Sequence, residues 1–201
     1  MIGVILAGGE NSRIPALKGF LSVEGKAIIE RSIETLTGIL GKTVISTNMP
    51  EKYFCFGLPL IGDITQEKGP IIGILSVLAA TGEDSVFVVA CDMPFVGGNL
   101  VRYMVESFKG EIARDAHVDA VIPVFEGKTE PLFGIYTRRV MKPIEGMIHH
   151  GRKGLIAMLG DLNVQYITDE EVRAMDPKGA SFVNINTMED YKRIGGKTCL
   201  V

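Results

Sequence analysis

Short Val- and Ile-rich runs, each closed by a turn residue, alternate along this chain with stretches whose apolar residues recur at helical spacing. No other property restricts the fold as much. A strand that is apolar at successive positions must be covered on both faces, and the helical crossovers of a parallel sheet are what cover them. The strands expected on this ground are residues 2–7, 43–47, 58–61, 86–91 and 120–124. Residues 27–40 carry Ile28, Ile29, Ile33, Leu36 and Leu40 on a helical period, and 71–80 reads as a helix opening after Gly69-Pro70, where proline suits the first turn. Further on, 131–136 reads as strand, 138–150 as helix, 153–159 as a shorter helix and 164–167 as a late strand. A last helix is expected over 187–194, with Thr187 as N-cap and Asp190 three residues on. The expected fold is one α/β domain over residues 1–201, a mostly parallel, Rossmann-like sheet with helices on both faces.

At 201 residues and 46% hydrophobic content, the chain can bury one substantial core. Its 21 basic and 24 acidic residues give a net charge of −3, which argues against the strongly basic surface of a nucleic-acid binder. The longest apolar runs, 71–80 and 86–91, fall well short of the roughly 20 residues of a membrane span. The N-terminus passes directly into a strand pattern without a basic leader, so no membrane partner and a cytoplasmic location are expected. Cys55, Cys91 and Cys199 are widely spaced and form no CxxC pair, which favours free thiols over zinc or disulfides.

The first strand runs straight into Leu6-Ala7-Gly8-Gly9, and Arg13 and Lys18 follow. Glycines without Cβ let backbone N–H groups close on phosphate oxygens, and such groups form an anion-binding concavity. Arg13 offers a planar fork and Lys18 a point charge, both suited to charge that develops in phosphoryl or nucleotidyl transfer. The spacing matches neither GxxxxGK[ST] nor GxGxxG, and a Gly-Gly after a strand also serves as a plain tight turn. In open α/β sheets ligands bind beyond the carboxyl ends of strands. Asp92, directly after 86–91, is therefore the leading metal-binding candidate, since magnesium takes a few carboxylates, several waters and substrate phosphates. Its other role is a turn former ahead of Met93-Pro94. Asp63, after 58–61, is a second such carboxylate or a surface loop acid.

Five segments in order resemble the molybdenum cofactor guanylyltransferases, a family of the nucleoside-diphospho-sugar transferase-like nucleotidyltransferases. The opening resembles that family's LAGG motif and its later serine, arginine and lysine, here Ser12, Arg13 and Lys18. Lys68-Gly69-Pro70-Ile71-Ile72-Gly73-Ile74 is similar to the segment that faces guanine, and Ala90-Cys91-Asp92-Met93-Pro94-Phe95 to the one that carries a metal-binding aspartate. Glu130-Pro131-Leu132-Phe133-Gly134-Ile135-Tyr136 and Phe182-Val183-Asn184-Ile185-Asn186-Thr187 resemble two later segments. The resemblance implies transfer of GMP from magnesium GTP to the terminal phosphate of molybdenum-bearing molybdopterin, with release of pyrophosphate. It implies that Leu6, Ala7, Gly8, Gly9 and Lys18 hold the triphosphate, and that Asp63, Gly69, Pro70 and Gly73 address guanosine. Asp92 would bind Mg2+ and the nucleotide, and Arg13, Lys18 and Asp92 would carry catalysis. An attacking phosphate is already an anion, so no general base and no Ser/His/Asp triad is required. Asn184 and Asn186 fall on one side of an extended segment. One or both would meet the pterin, Asn186 completing the metal site, or they cap the helix that follows. Proteins that supply GTP or mature molybdoenzymes are the partners compatible with this chemistry.

Two residues depart from the family pattern: Pro15 stands where glycine is usual and Leu17 where aspartate is usual, which predicts a stiffer loop. Arg152 or Lys153 is the expected cation for the pterin phosphate, although with His149 and His150 both also suit a helix C-terminus. Tyr53, Phe54 and Phe56 are a stacking surface or, more conservatively, core. His117 is expected at the surface. The rival readings are a sister transferase, using CTP on molybdopterin or acting on another phosphorylated acceptor, and a non-catalytic nucleotide-binding module.

Overall fold

The computed structural model describes residues 1–8, 17–113, 117–152 and 154–195. In chain order these form β1 (Ile2–Leu6), a hairpin of β2 (Ser22–Val23) and β3 (Lys26–Ala27), α1 (Ile28–Leu40), β4 (Thr43–Ser46), the short α2 (Pro50–Tyr53), β5 (Leu60–Ile61), α3 (Pro70–Thr81) and β6 (Ser85–Ala90). The second half supplies α4 (Gly98–Ala113), β7 (Ala120–Phe125), β8 (Lys128–Thr129), β9 (Phe133–Thr137), α5 (Met141–His149), α6 (Leu155–Leu159), β10 (Val164–Ile167), α7 (Asp169–Met175) and α8 (Met188–Arg193).

The main sheet runs β10-β7-β9-β6-β1-β4-β5, with β8 paired to β7. β1 pairs in parallel with β4 and β6, as do β5 with β4 and β10 with β7. Only β9 breaks the pattern in this order, running antiparallel to both β6 and β7. Every residue of β1 and β6 is buried. Their alternate side chains divide between two cores, as the period of two in a strand requires. Ile5, Phe87 and Val89 pack with residues of α1, α4 and α7, whereas Val4, Val86 and Val88 pack with residues of α3, α5 and α6. Helices therefore cover both faces, as the sequence pattern predicts. A third, smaller core joins Leu21, next to the hairpin, and Val23 within it to Ile185 and Tyr191 near the C-terminus, where the Tyr191 hydroxyl donates to the Ser22 carbonyl at 2.7 Å.

Several boundaries differ from expectation for local reasons. The helix expected over 138–150 begins as a 3-10 turn, Arg138–Val140, and becomes α-helical at Met141. The last helix starts at Met188, and Thr187 caps it reciprocally: its hydroxyl accepts from Asp190 N at 3.1 Å while Asp190 Oδ2 accepts from Thr187 N at 2.9 Å. Neither Asn184 nor Asn186 serves as that cap. The helix expected from 153 starts at Leu155, and Lys153 itself lies outside the described residues. No helix among the described residues is long and apolar enough to cross a membrane.

Candidate active site

Parallel neighbours end on the same edge of a sheet, so the carboxyl ends of β1, β4, β5 and β6 bring their following residues together. Backbone bonds tie those ends into one rim. Ala7 N donates to Ser46 O at 2.8 Å, Thr47 N to Ile61 O at 2.8 Å, and Cys91 N to Leu6 O at 3.1 Å. The antiparallel β9 begins at this same edge, where Ala90 N donates to Leu132 O at 3.1 Å. Ile185 N donates to Asp92 O at 3.0 Å, which sets the C-terminal segment against the end of β6.

At that junction one ammonium meets two oxygens. Lys18 Nζ lies 2.9 Å from Asp92 Oδ2 and 2.9 Å from Asn186 Oδ1, although the three residues are far apart in sequence. Both side chains of the ion pair are half-buried, at 18% and 20% exposure, so the attraction is screened less than on an open surface. Lys18 opens a one-turn 3-10 helix, Lys18–Phe20, that is seated by buried Gly19 against Cys91 and by Leu17 packed on the main core. Leu17 thus anchors the loop's end to the core. Asn186 is steadied by its backbone N–H, which donates to Asp190 Oδ2 at 3.1 Å. Between these lies the partly buried thiol of Cys91, whose pKa is pushed up to about 12 by burial first and then by the Asp92 charge, so it stays protonated.

Among the described residues no group of three or more His, Cys, Asp and Glu could hold a metal. The donor set that does converge is one carboxylate and one amide oxygen, Asp92 and Asn186. That suits magnesium, which keeps waters and substrate phosphates as its other ligands and needs no all-protein cage.

A second group stands beside the first. Asp63 follows β5 and is clasped by Asn48, whose Nδ2 donates to Asp63 Oδ2 at 2.6 Å while its Oδ1 accepts from Asp63 N at 2.8 Å. Asn48 is absent from the sequence expectations. It lies two residues beyond β4, and its one available signal was a polar residue just after a strand. Gly69 precedes α3 with φ of 141°, a backbone setting that favours glycine, and Pro70 occupies the first turn. A Cβ at Gly73 would lie 2.9 Å from Ser46 Oγ and 3.0 Å from Leu6 Cδ2, so the glycine lets α3 settle onto β1 and β4 at the rim. Gly73→Ala is expected to lower stability by about 1–2 kcal/mol, the lower part of the overpacking range, because the obstructing atoms are ends of side chains that can turn. A shift in the denaturant midpoint checks this; an unchanged midpoint would mean that α3 adjusts freely.

Other expected residues fall elsewhere. Asn184 donates to Phe182 O at 3.0 Å rather than joining Lys18. Arg152 stands 3.8 Å from Asp161 Oδ2, exposed beyond α5. Gly8 is exposed at the rim, with open space where a Cβ would be. Gly9, Ser12, Arg13, Pro15 and Lys153 lie outside the described residues. Tyr53 is buried and clusters with the rings of Phe20 and Phe56 at 5.4 and 6.4 Å, which makes it core, while Phe54 is 71% exposed. His117 is exposed, its Nδ1 3.5 Å from Arg139.

Known proteins resemble this chain in sequence and fold. Residues 3–166 match the model of the MobA-like NTP transferase domain. A molybdenum cofactor guanylyltransferase of Desulfosudis oleivorans is 32% identical over 192 residues, 95% of this chain and 92% of that protein. The crystal structure of molybdopterin-guanine dinucleotide biosynthesis protein A from Archaeoglobus fulgidus superposes with a TM-score of 0.81 at 30% identity, over 96% of each chain. CMP:2-keto-3-deoxy-manno-octonic acid synthetase, solved with CTP, shares the fold at 13% identity, with a TM-score of 0.72 over 96% of this chain and 95% of that one. A family match that runs from the first strand of the sheet into the last, with relatives aligned almost end to end, makes this chain a member of the MobA-like NTP transferase family.

Proposed function

We propose that the chain, as one domain over residues 1–201, transfers GMP from magnesium GTP to the terminal phosphate of molybdenum-bearing molybdopterin, releasing pyrophosphate. The observation that carries this reading is the convergence of Lys18, Asp92 and Asn186 at the strand ends, in a chain 32% identical to a protein named molybdenum cofactor guanylyltransferase.

The acceptor phosphate is its own nucleophile, so the chain's task is orientation and charge neutralisation. Backbone N–H groups at Leu6, Ala7, Gly8 and Gly9, with Arg13 and Lys18, would receive the triphosphate. Asp92 and Asn186 would hold a magnesium ion, which when bound supplies neutralisation of charge on the phosphate oxygens. Asp63, clasped by Asn48, and the segment carrying Gly69, Pro70 and Gly73 would address guanosine, since both flank the same rim. Asn184, Asn186, Arg152 and Lys153 are proposed for the pterin acceptor.

The test is to incubate the purified chain with magnesium, molybdate, molybdopterin and each nucleoside triphosphate in turn. Pyrophosphate release and product mass are followed. A guanine dinucleotide formed from GTP and from no other nucleotide is the expected result. A cytosine dinucleotide would keep the mechanism and move the base assignment, and the absence of any product despite GTP binding would overturn the transfer reading.

A further inference from the structure

The two protein oxygens assigned above to the metal ion are also the two that the Lys18 ammonium holds, each at 2.9 Å. One point between the same two oxygens does not serve both cations. Magnesium draws its oxygen ligands to about 2.0–2.1 Å, and an ammonium beside it would face a double positive charge at close range. We propose that Lys18 is the resident cation of this site: it keeps free divalent ions out, and it leaves Asp92 and Asn186 only when a triphosphate offers oxygens that take the ammonium, so that metal and nucleotide enter together. The proposal rests on the reading of Asp92 and Asn186 as metal ligands.

Three features support it. The Lys18 turn is anchored by Leu17 and Gly19, so the side chain reaches Asp92 from a fixed base. The segment bearing Asn186 is held to the end of β6 through Ile185 N and Asp92 O at 3.0 Å, so the two side chains stay at one junction whichever cation they meet. Among the described residues no group of three or more His, Cys, Asp and Glu gathers into an all-protein cage, which leaves the nucleotide's phosphates to complete the coordination. Coupling of this kind is reciprocal: whatever factor the triphosphate adds to metal affinity, the metal adds to triphosphate affinity.

The experiment titrates the full chain with Mn2+ and reads free ion by electron paramagnetic resonance, with and without a non-cleavable α,β-methylene analogue of GTP. Wild type is expected to bind Mn2+ alone weakly and about tenfold or more tightly with the analogue. Lys18→Met and Lys18→Gln are expected to bind Mn2+ alone about tenfold more tightly than wild type, with the analogue adding less. Adding Asp92→Asn to Lys18→Met should abolish the gain, which assigns it to this site rather than to a general change in charge. Thermal unfolding checks that each variant is folded. The proposal is overturned if removal of the Lys18 charge leaves Mn2+ affinity unchanged in both variants, or if wild type binds Mn2+ equally well without nucleotide. None of these readouts depends on turnover or on the acceptor, so a failure of the transferase reading and a failure of this inference are told apart.

Discussion

Asp92→Ala is expected to lower the rate of pyrophosphate release by about 10²–10³-fold at saturating GTP and molybdopterin, equivalent to about 3–4 kcal/mol of transition-state stabilisation. No covalent intermediate and no base is needed, so removing a group that neutralises phosphate charge removes a large share of the whole effect. Asp92 is the carboxylate that pairs with Lys18 at the junction where β6, the Lys18 turn and the C-terminal segment meet, and Asp190 nearby is occupied with the backbone N–H groups of Asn186 and Thr187. Stability should change little by comparison, because the lost ion pair is only half-buried and Lys18 keeps Asn186 as a partner. Initial rates over a range of magnesium concentrations, together with thermal unfolding, check both halves. A loss below tenfold, with folding intact, would remove Asp92 from the metal and return it to the role of a turn former after β6.

The candidate site was legible where sequence position alone dictates spatial position. Asp92 lies two residues beyond a strand buried on both faces, and Lys18 follows the loop after β1; in a parallel sheet those facts put both on one edge before any contact is known. Asn186 was reached only through resemblance, because 168 residues separate it from Lys18 and no local pattern reports that contact. Asn48 was missed for the same reason: what makes it matter is the clasp on Asp63, 15 residues away. The misses in the fold have other causes. Gly97 and Gly98 at its start and Gly110 within it obscured α4, although Leu100, Val101, Met104, Val105 and Phe108 lie on a helical period and are all buried. The Thr168 and Glu171 box that starts α7 is the same signature that locates the helix after Thr187, but Val172 is the one buried residue of this short helix, so no apolar period backs the box. The turn between β2 and β3 places Glu24 and Gly25 at positive φ, and Glu-Gly lacks the Asn-Gly or Asp-Gly signal of a two-residue hairpin. The direction of β9 was not readable either, since a strand buried on both faces has the same composition whichever way it runs.

Phe133→Ala is expected to destabilise the fold by about 3–5 kcal/mol, the cost of emptying a ring-sized volume in a core that relaxes only in part. The ring is fully buried at the first residue of β9, opposite Val89. It meets Phe87 edge-on at 5.4 Å on one side and Phe182 at 5.6 Å on the other, so it links the central strand β6 to the stretch that leads into Asn184 and Asn186. Edge-to-face pairs add to simple burial, which places the expected loss well above that of a smaller aliphatic residue. For a chain of this length each kcal/mol moves the midpoint by roughly 2–4 °C, so the transition should fall by about 6–20 °C. Phe133→Leu, which restores most of the volume but neither ring contact, should lose less than about 1.5 kcal/mol. The site should register the difference as well. With Phe182 unsupported, Asn186 is held less firmly against Lys18, and the magnesium concentration needed for half-maximal rate is expected to rise in the alanine variant more than in the leucine variant, at a temperature well below either transition. Denaturant curves and magnesium titrations on the two variants decide it. Equal stability of the two would mean that the restored volume adds nothing and that the lost ring contacts carry the whole cost, and equal magnesium dependence would mean that filling this volume does not help to hold the segment that carries Asn186.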